Sequence, residues 1–371
     1  MNDFEEYIRQ GEPHKRAKGY AWQTAIGLQA VDGLKPSTYL IETARKHIEG
    51  DITIDEVRQL IKSYYESKET RITNASETEE ADKVSANIAK LLSERTFAFT
   101  VAGLIAIHRC IFDGVFKFAG KIRDYNITKQ EWVLRGDTVL YVSATDIRRA
   151  IEYDLEQEQA FDYTGLNMIQ VASHIAKFTS GLWQIHPFGE GNTRTTAIFT
   201  IQYLRSMGFD VENGLFANHS WYFRNSLVRA NYQNIQKGIQ RTLEYLECFF
   251  RNLLMGEQNS LRNRDLLIQV PENLLKREEQ TEDRTSTEQP TEQLTEQERL
   301  LLSTIGQEQF SLKVLMEKVG LKHRPTFLEN YINPAIKDGL IKVLYPKNPN
   351  HPRQKYLLTI KGVALYNDLN R

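Results

Sequence analysis

Cysteine is nearly absent: Cys110 and Cys248 are the only two in 371 residues. They lie far apart, so the chain has neither a metal-binding spacing nor a disulfide framework. Both fall in apolar helical patterns and read as buried thiols of a cytosolic protein. Long apolar runs are also scarce. The longest, about Phe97–Ile107, is well short of the ~20 residues that a spanning helix needs. The opening MNDFEEYIRQ is charged and lacks the apolar stretch of a signal peptide. These absences imply a cytoplasmic chain with no membrane partner. An excess of either charge is missing too. With 47 Lys+Arg against 48 Asp+Glu and a net charge of −1, the chain as a whole is no polyanion binder, although local patches can be. Its length allows two or three domains.

What the chain does have is concentrated in His186-Pro187-Phe188-Gly189-Glu190-Gly191-Asn192-Thr193-Arg194. A histidine, a carboxylate and an arginine are separated there by two glycines. From Thr195 the pattern becomes helical, with apolar Ala197, Ile198, Ile201 and Leu204. A glycine-rich loop that opens a helix is a ready anion cradle, because the first helical N–H groups and the dipole both favour negative charge. Pro187 disfavours helical continuation through His186, so the ring should sit at a helix end. A neutral imidazole near its usual pKa of about 6.5 can accept a hydroxyl proton. His186 and Glu190 are four apart, as in a zinc site on a helix, but Pro187, Gly189 and Gly191 interrupt that helix. Mg²⁺ held by Glu190 and nucleotide phosphates suits a single carboxylate better. Gly189, Gly191, Asn192, Thr193 and Arg194 then read as the nucleotide-binding residues, and Phe188 as a core anchor.

The segment resembles the signature of the Fic family, His-x-Phe-x-Asp/Glu-Gly-Asn-Gly-Arg-x-x-Arg. His186, Phe188, Glu190, Gly191, Asn192 and Arg194 are in register. The likeness extends to IHRCIFDGVFKFAGKIRDYNITK (107–129), ASHIAKFTSGLWQIHPF (172–188) and HSWYFRNSLVRANYQN (219–234), covering roughly residues 85–255. Two positions depart from the pattern. Thr193 replaces a glycine where the backbone should approach phosphate. Ala197 replaces the second arginine, which in the family grips the γ-phosphate and pairs with an inhibitory glutamate. The resemblance implies a mainly α fold and a nucleotidyltransferase that moves AMP from ATP to a Ser, Thr or Tyr hydroxyl of a target protein. His186 would be its base and Glu190 its Mg²⁺ ligand.

Residues 1–66 are helical by period. Gly33-Leu34-Lys35-Pro36-Ser37 ends one helix and can cap the next at Ser37, and Glu49-Gly50-Asp51 ends that one. Thr53 and Glu56 form a capping-box pattern for a third. The stretch 25–65 looks like the small helical antitoxins that partner some Fic proteins. The regulatory position of that motif falls on Asp32, one methylene shorter than glutamate. With no arginine at 197 to meet it, inhibition by this route is expected to be weak or lost.

Between 122 and 143, two apolar runs flank Arg135-Gly136-Asp137 and read as a β-hairpin. In the Fic family a hairpin here is the flap that holds the target segment, plausibly by strand addition. A structural hairpin covering the core is the plainer alternative. Residues 257–296 carry ten acidic and five basic side chains with TEQ repeats, and read as a flexible linker. The first part, with Leu266, Leu267 and Ile268, is apolar enough to pack back on the main domain.

Residues 297–371 carry twelve Lys/Arg against six Asp/Glu. Three helices followed by strands Leu340–Tyr345 and Lys355–Ile360 look like a winged helix-turn-helix domain. Lys322 and Arg324 would begin a recognition helix, with Lys347 and Arg353 on the wing, all facing duplex DNA. A protein-docking or dimerisation module fits the same pattern. The expected organisation is therefore an antitoxin-like region (1–66), a catalytic domain (67–255), an acidic linker (256–296) and a winged-helix domain (297–371). A DNA-binding regulator with a degenerate, nucleotide-sensing Fic domain is the competing function. Homo-oligomerisation stays open.

Overall fold

Local capping works in the N-terminal region as the spacing predicts. Ser37 caps α3 (Thr38–Glu49) by accepting from the Leu40 N–H, and Gly50 ends that helix in the left-handed conformation. Thr53 and Glu56 form the reciprocal capping box of α4 (Ile54–Glu66). The molecule, a computed structural model, describes residues 4–10, 12–67, 75–94, 96–163, 166, 168–209, 211, 214–269, 295–306, 308–321, 323–338, 340–345, 351, 353–358, 366 and 369. The chain divides into two units, Met1–Lys276 and Arg277–Arg371.

In the first unit, α1 (Glu5–Gln10) and α2 (Pro13–Gly27) lead into a 3-10 turn at Leu28–Asp32. After α3 and α4 come α5 (Ala75–Ser93), α6 (Val101–Ile111), α7 (Ile147–Gln159), α8 (Met168–Ile185) and α9 (Asn192–Ser206). The unit continues with α10 (Leu215–Asn218), α11 (Ser220–Asn231) and α12 (Glu244–Met255). Every residue of α9 from Asn192 to Leu204 is buried, which makes it the central helix. Helices α5, α6 and α8 and the 3-10 turn pack around it.

The N-terminal helices share this core: Phe4, Trp22, Leu28, Leu40 and Ile61 belong to the same apolar cluster as Phe188, Ile198 and Phe249. Polar contacts fix them further. Asp82 of α5, fully buried, accepts from the Ser37 N–H, the Ser37 hydroxyl and the Tyr65 hydroxyl at 2.5–2.8 Å. At Gly27 a Cβ would lie 2.4 Å from the Ala217 backbone, so only glycine lets α2 approach α10 there. The exit segment also packs back as expected, with Leu266 and Ile268 buried in the core.

Two expectations need correction. Cys110 is exposed and Cys248 only half-buried, because the inward face of α6 is Leu104, Ile107, His108 and Ile111. The hairpin is not formed either. Residues 122–143 contain a single antiparallel bridge, Gln130 to Thr138, around a 3-10 turn at Trp132–Leu134. Val133 and Leu134 are consecutive and both buried, which an alternating strand cannot achieve. The turn is held inward by the Ile268 N–H on the Val133 carbonyl and by Arg135 Nε on the Ile268 carbonyl.

The second unit has its own core, including Leu301, Leu302, Leu315, Phe327 and Ile341. Helix α13 (Glu296–Ile305) starts at a Thr295–Glu298 capping box. After strand β1 (Gln309–Phe310) comes α14 (Leu312–Val319). Helical stretches Arg324–Phe327, Leu328–Ile332 and Asn333–Lys337 follow, and then strands β2 (Ile341–Val343) and β3 (Tyr356–Leu358). The sheet is antiparallel in the order β1-β3-β2, so one strand, β1, joins the two that the sequence anticipates. No described helix is long and apolar enough to cross a membrane.

Candidate functional site

Helix α8 ends at Ile185, and the next residue takes a left-handed backbone, with φ 51 at His186. A non-glycine residue there carries strain of about 1–3 kcal/mol. The geometry is held by Arg123, whose Nε donates to the His186 carbonyl at 2.7 Å and whose other nitrogens donate to the Tyr125, Val142 and Ile185 carbonyls. The His186 ring is 3% exposed, and neither ring nitrogen has a side-chain hydrogen-bond partner among the described residues, the Trp183 backbone being the one polar group against it that favours the charged form. Tyr141 lies over it with ring centroids 4.1 Å apart, and the Trp183 edge abuts it at 5.3 Å. Burial, aided by Lys129, Arg123 and Arg224, drives its pKa well below the ordinary value. The sequence expectation of an ordinary pKa is therefore corrected: burial favours the neutral imidazole, which is the form that can accept a proton.

The loop beyond it is built with few alternatives. Gly191 has φ 76, and a Cβ there would lie 2.1 Å from the Phe112 ring; at Gly189 a Cβ would meet the Tyr125 hydroxyl at 2.7 Å. Asn192 holds the loop closed, its Oδ1 accepting from the Phe188 N–H at 2.9 Å and its Nδ2 donating to the Phe188 carbonyl at 2.8 Å. Both ends of the amide are thus engaged with backbone rather than turned toward a ligand. Thr193 points toward α8, where its hydroxyl accepts from the Trp183 indole N–H at 3.0 Å.

Glu190 meets Lys129, whose Nζ is 3.1 and 3.2 Å from the two carboxylate oxygens, and Oε1 also accepts from the Gly191 N–H. Burial alone would raise this carboxyl, but Lys129, the Gly191 N–H and Arg194 outweigh it and lower the pKa. Beside this pair, buried Glu131 is bridged by Arg224 at 2.8 and 3.1 Å and approached by the Tyr141 hydroxyl at 3.4 Å. Burial raises the Glu131 carboxyl despite Arg224.

Arg194 is 1% exposed, and each of its nitrogens faces an oxygen. Nη1 donates to Gln29 Oε1 at 3.0 Å, Nη2 pairs with Glu80 Oε1 at 2.8 Å, and Nε lies 2.9 Å from Asp32 Oδ2. The guanidinium stacks 4.8 Å from the Phe112 ring centre. The sequence expectation that Asp32 has no arginine to meet is corrected: its partner is Arg194, not a residue at 197. Ala197 itself is fully buried.

Sequence reasoning assigned no role to His108, Lys129, Glu131 or Arg224. His108 Nδ1 accepts from the Gly120 N–H, so its Nε2–H donates to the Glu190 carbonyl at 3.0 Å while the ring stacks on Phe188. In the second unit Arg324 and Arg353 are exposed, while Lys322 and Lys347 lie outside the described residues.

A Fic/DOC family model matches residues 98–204, and one for the Filamentation induced by cAMP protein Fic-like, C-terminal domain, matches residues 296–359. A crystal structure of a Fic family protein from Desulfovibrio desulfuricans G20 is 20% identical, with 97% of this chain and 94% of that one covered and a TM-score of 0.44. The N-terminal Fic domain of a putative cell filamentation protein, a VirB-translocated Bep effector from Bartonella quintana, is 19% identical. That match covers 57% of this chain and 91% of the other, with a TM-score of 0.38. The loop 186–194 lies inside the first matched region, so the chain carries a Fic/DOC family domain, followed by a Fic-like C-terminal domain.

Proposed function

We propose that this chain is a protein nucleotidyltransferase that moves AMP from ATP to a Ser, Thr or Tyr hydroxyl of a target protein. The observation that carries this reading is His186: a buried imidazole, favoured neutral by burial, with no side-chain hydrogen-bond partner among the described residues, at the head of the glycine-containing loop that opens α9. Buried polar atoms without partners are uncommon, and a reacting hydroxyl would supply the missing partner here. The target hydroxyl gives its proton to a His186 nitrogen as its oxygen bonds to the α-phosphorus. The bond from that phosphorus to the bridging oxygen breaks, and pyrophosphate leaves. The N-terminal end of α9, which opens at Asn192, favours the negative charge on the phosphates. Exposed Leu140, 82% accessible, with Trp132 and Tyr125, offers an apolar rim for a target segment.

Mg²⁺ on Glu190 fits this donor set poorly. Both carboxylate oxygens face the Lys129 ammonium, and no described group of three or more His, Cys, Asp or Glu could hold an ion.

Asp32 is regulatory in this reading. With Gln29 and Glu80 it keeps Arg194 from phosphate, so the N-terminal region restrains the site it packs against. The test is incubation with labelled ATP, CTP, GTP or UTP, followed by mass spectrometry of modified peptides. His186→Ala should cut transfer by about 10²–10⁴. Equal transfer by both proteins would remove His186 from the chemistry.

A second reading concerns the C-terminal unit alone. Its helices and antiparallel sheet carry exposed Arg324 and Arg353, which favours duplex DNA as a partner. Fluorescence anisotropy of the full chain with DNA at two salt concentrations tests it, since phosphate contacts weaken steeply with salt. An absence of binding at low salt would leave a protein-docking module.

A further inference from the structure

A nucleoside triphosphate brings several negative charges to this loop, yet the two arginine positions of the motif offer little to meet them. Position 197 is a buried alanine, and Arg194 faces Gln29, Asp32 and Glu80. On the other side of Glu190 stands Lys129. Its Nζ spans both carboxylate oxygens at 3.1 and 3.2 Å, where a bound cation would sit. The Lys129 side chain is 30% and Glu190 40% exposed, so the pair is half-buried with a side open to solvent. Lys129 is also within electrostatic reach of both His186 and Glu131. It therefore touches the Glu190 carboxylate and acts on the proposed base through its charge.

We infer, resting on the nucleotidyltransferase reading, that Lys129 is the resident cation of this site and contacts the phosphates, so that a nucleoside triphosphate binds without a divalent ion. An ammonium has three donors: one or two can stay on Glu190 while another meets a phosphate oxygen. A divalent ion would have to displace Lys129 from Glu190 and then sit beside it against like charge. Lys129 also compensates for the alanine at 197, supplying from the 122–143 segment a charge that α9 does not carry.

The test is calorimetric ATP binding to the full chain in EDTA and in Mg²⁺, for wild type, Lys129→Met and Lys129→Arg, each also with Asp32→Ala. Wild type should bind in EDTA within about threefold of its affinity in Mg²⁺. Lys129→Met should lose about tenfold in EDTA, the size of one charge-assisted hydrogen bond, and recover in Mg²⁺ as the vacated carboxylate takes the metal. Lys129→Arg should keep its binding in EDTA. If wild type binds only in Mg²⁺ and Lys129→Met matches it, the inference fails and the nucleotide reading stands. If no variant binds any triphosphate in either buffer, the nucleotide reading itself fails and the inference goes with it.

Discussion

Two residues that break the family pattern turn out to be structural adaptations. Thr193 gives the buried Trp183 indole its acceptor, so restoring glycine leaves an unsatisfied donor and loosens the first turn of α9. Thr193→Gly should therefore destabilise by about 2–3 kcal/mol, from a lost buried hydrogen bond plus a glycine in a helix. A thermal melt checks this, and a gain in stability would overturn it. Ala197 is fully buried, so an arginine restored there to reach a γ-phosphate would meet a packing problem. Ala197→Arg must push a charged side chain into packed space, a change of several kcal/mol. It should fold poorly, as circular dichroism would report; a stable variant with tighter ATP binding would instead reveal room at the head of α9. These roles were hidden in the sequence because the partners are set by packing. Trp183 lies on another helix, and Gln29 is 165 positions from Arg194.

The elements divide by how locally their form is determined. Ser37, Thr53 and the 186–194 loop were legible because caps and glycine turns are decided within a few residues. The 122–143 segment was misread because tertiary pull on Val133 and Leu134 overrides a hairpin pattern. Its true anchor is Arg123, one side chain that ties this segment to the backbone of His186 and Ile185. Arg123→Lys keeps the charge but cannot reach four carbonyls, so the left-handed His186 should relax. Transfer should fall at least tenfold with the fold retained, read as lower activity beside an unchanged far-UV spectrum. Unaltered activity would mean that the loop holds its shape without the clamp. The N-terminal helices form another such unit. Asp82 joins them to α5, and Asp32 reaches Arg194. Asp32→Ala removes one of the three groups on that guanidinium while leaving the Asp82 contacts intact. It should raise transfer severalfold, and a fall would place Asp32 among the groups that support the site.

At the scale of the whole molecule, pH acts through buried histidines. His47, accepting from the Trp22 indole, and His108, beneath the motif loop, are both lowered from about 6.5 to about 4, chiefly by burial. His186 is shifted in the same direction. A histidine with a depressed folded pKa stays neutral in the native state while the unfolded chain takes up protons. Its contribution is therefore fully present above about pH 6.5 and is lost as pH falls toward 4, up to about 3 kcal/mol for each of the first two. Glu49, Asp55, Glu56 and Glu190 are lowered by their partners, so they add a further loss at more acid pH. All four tryptophans, Trp22, Trp132, Trp183 and Trp221, lie in the first unit, so their fluorescence reports its unfolding alone. Urea midpoints followed this way should fall steadily from pH 7 to pH 4.5, before most carboxylates titrate. His47→Gln, which can still accept from Trp22, should flatten part of that slope. A midpoint independent of pH in this window would show that these rings become protonated without leaving their buried positions.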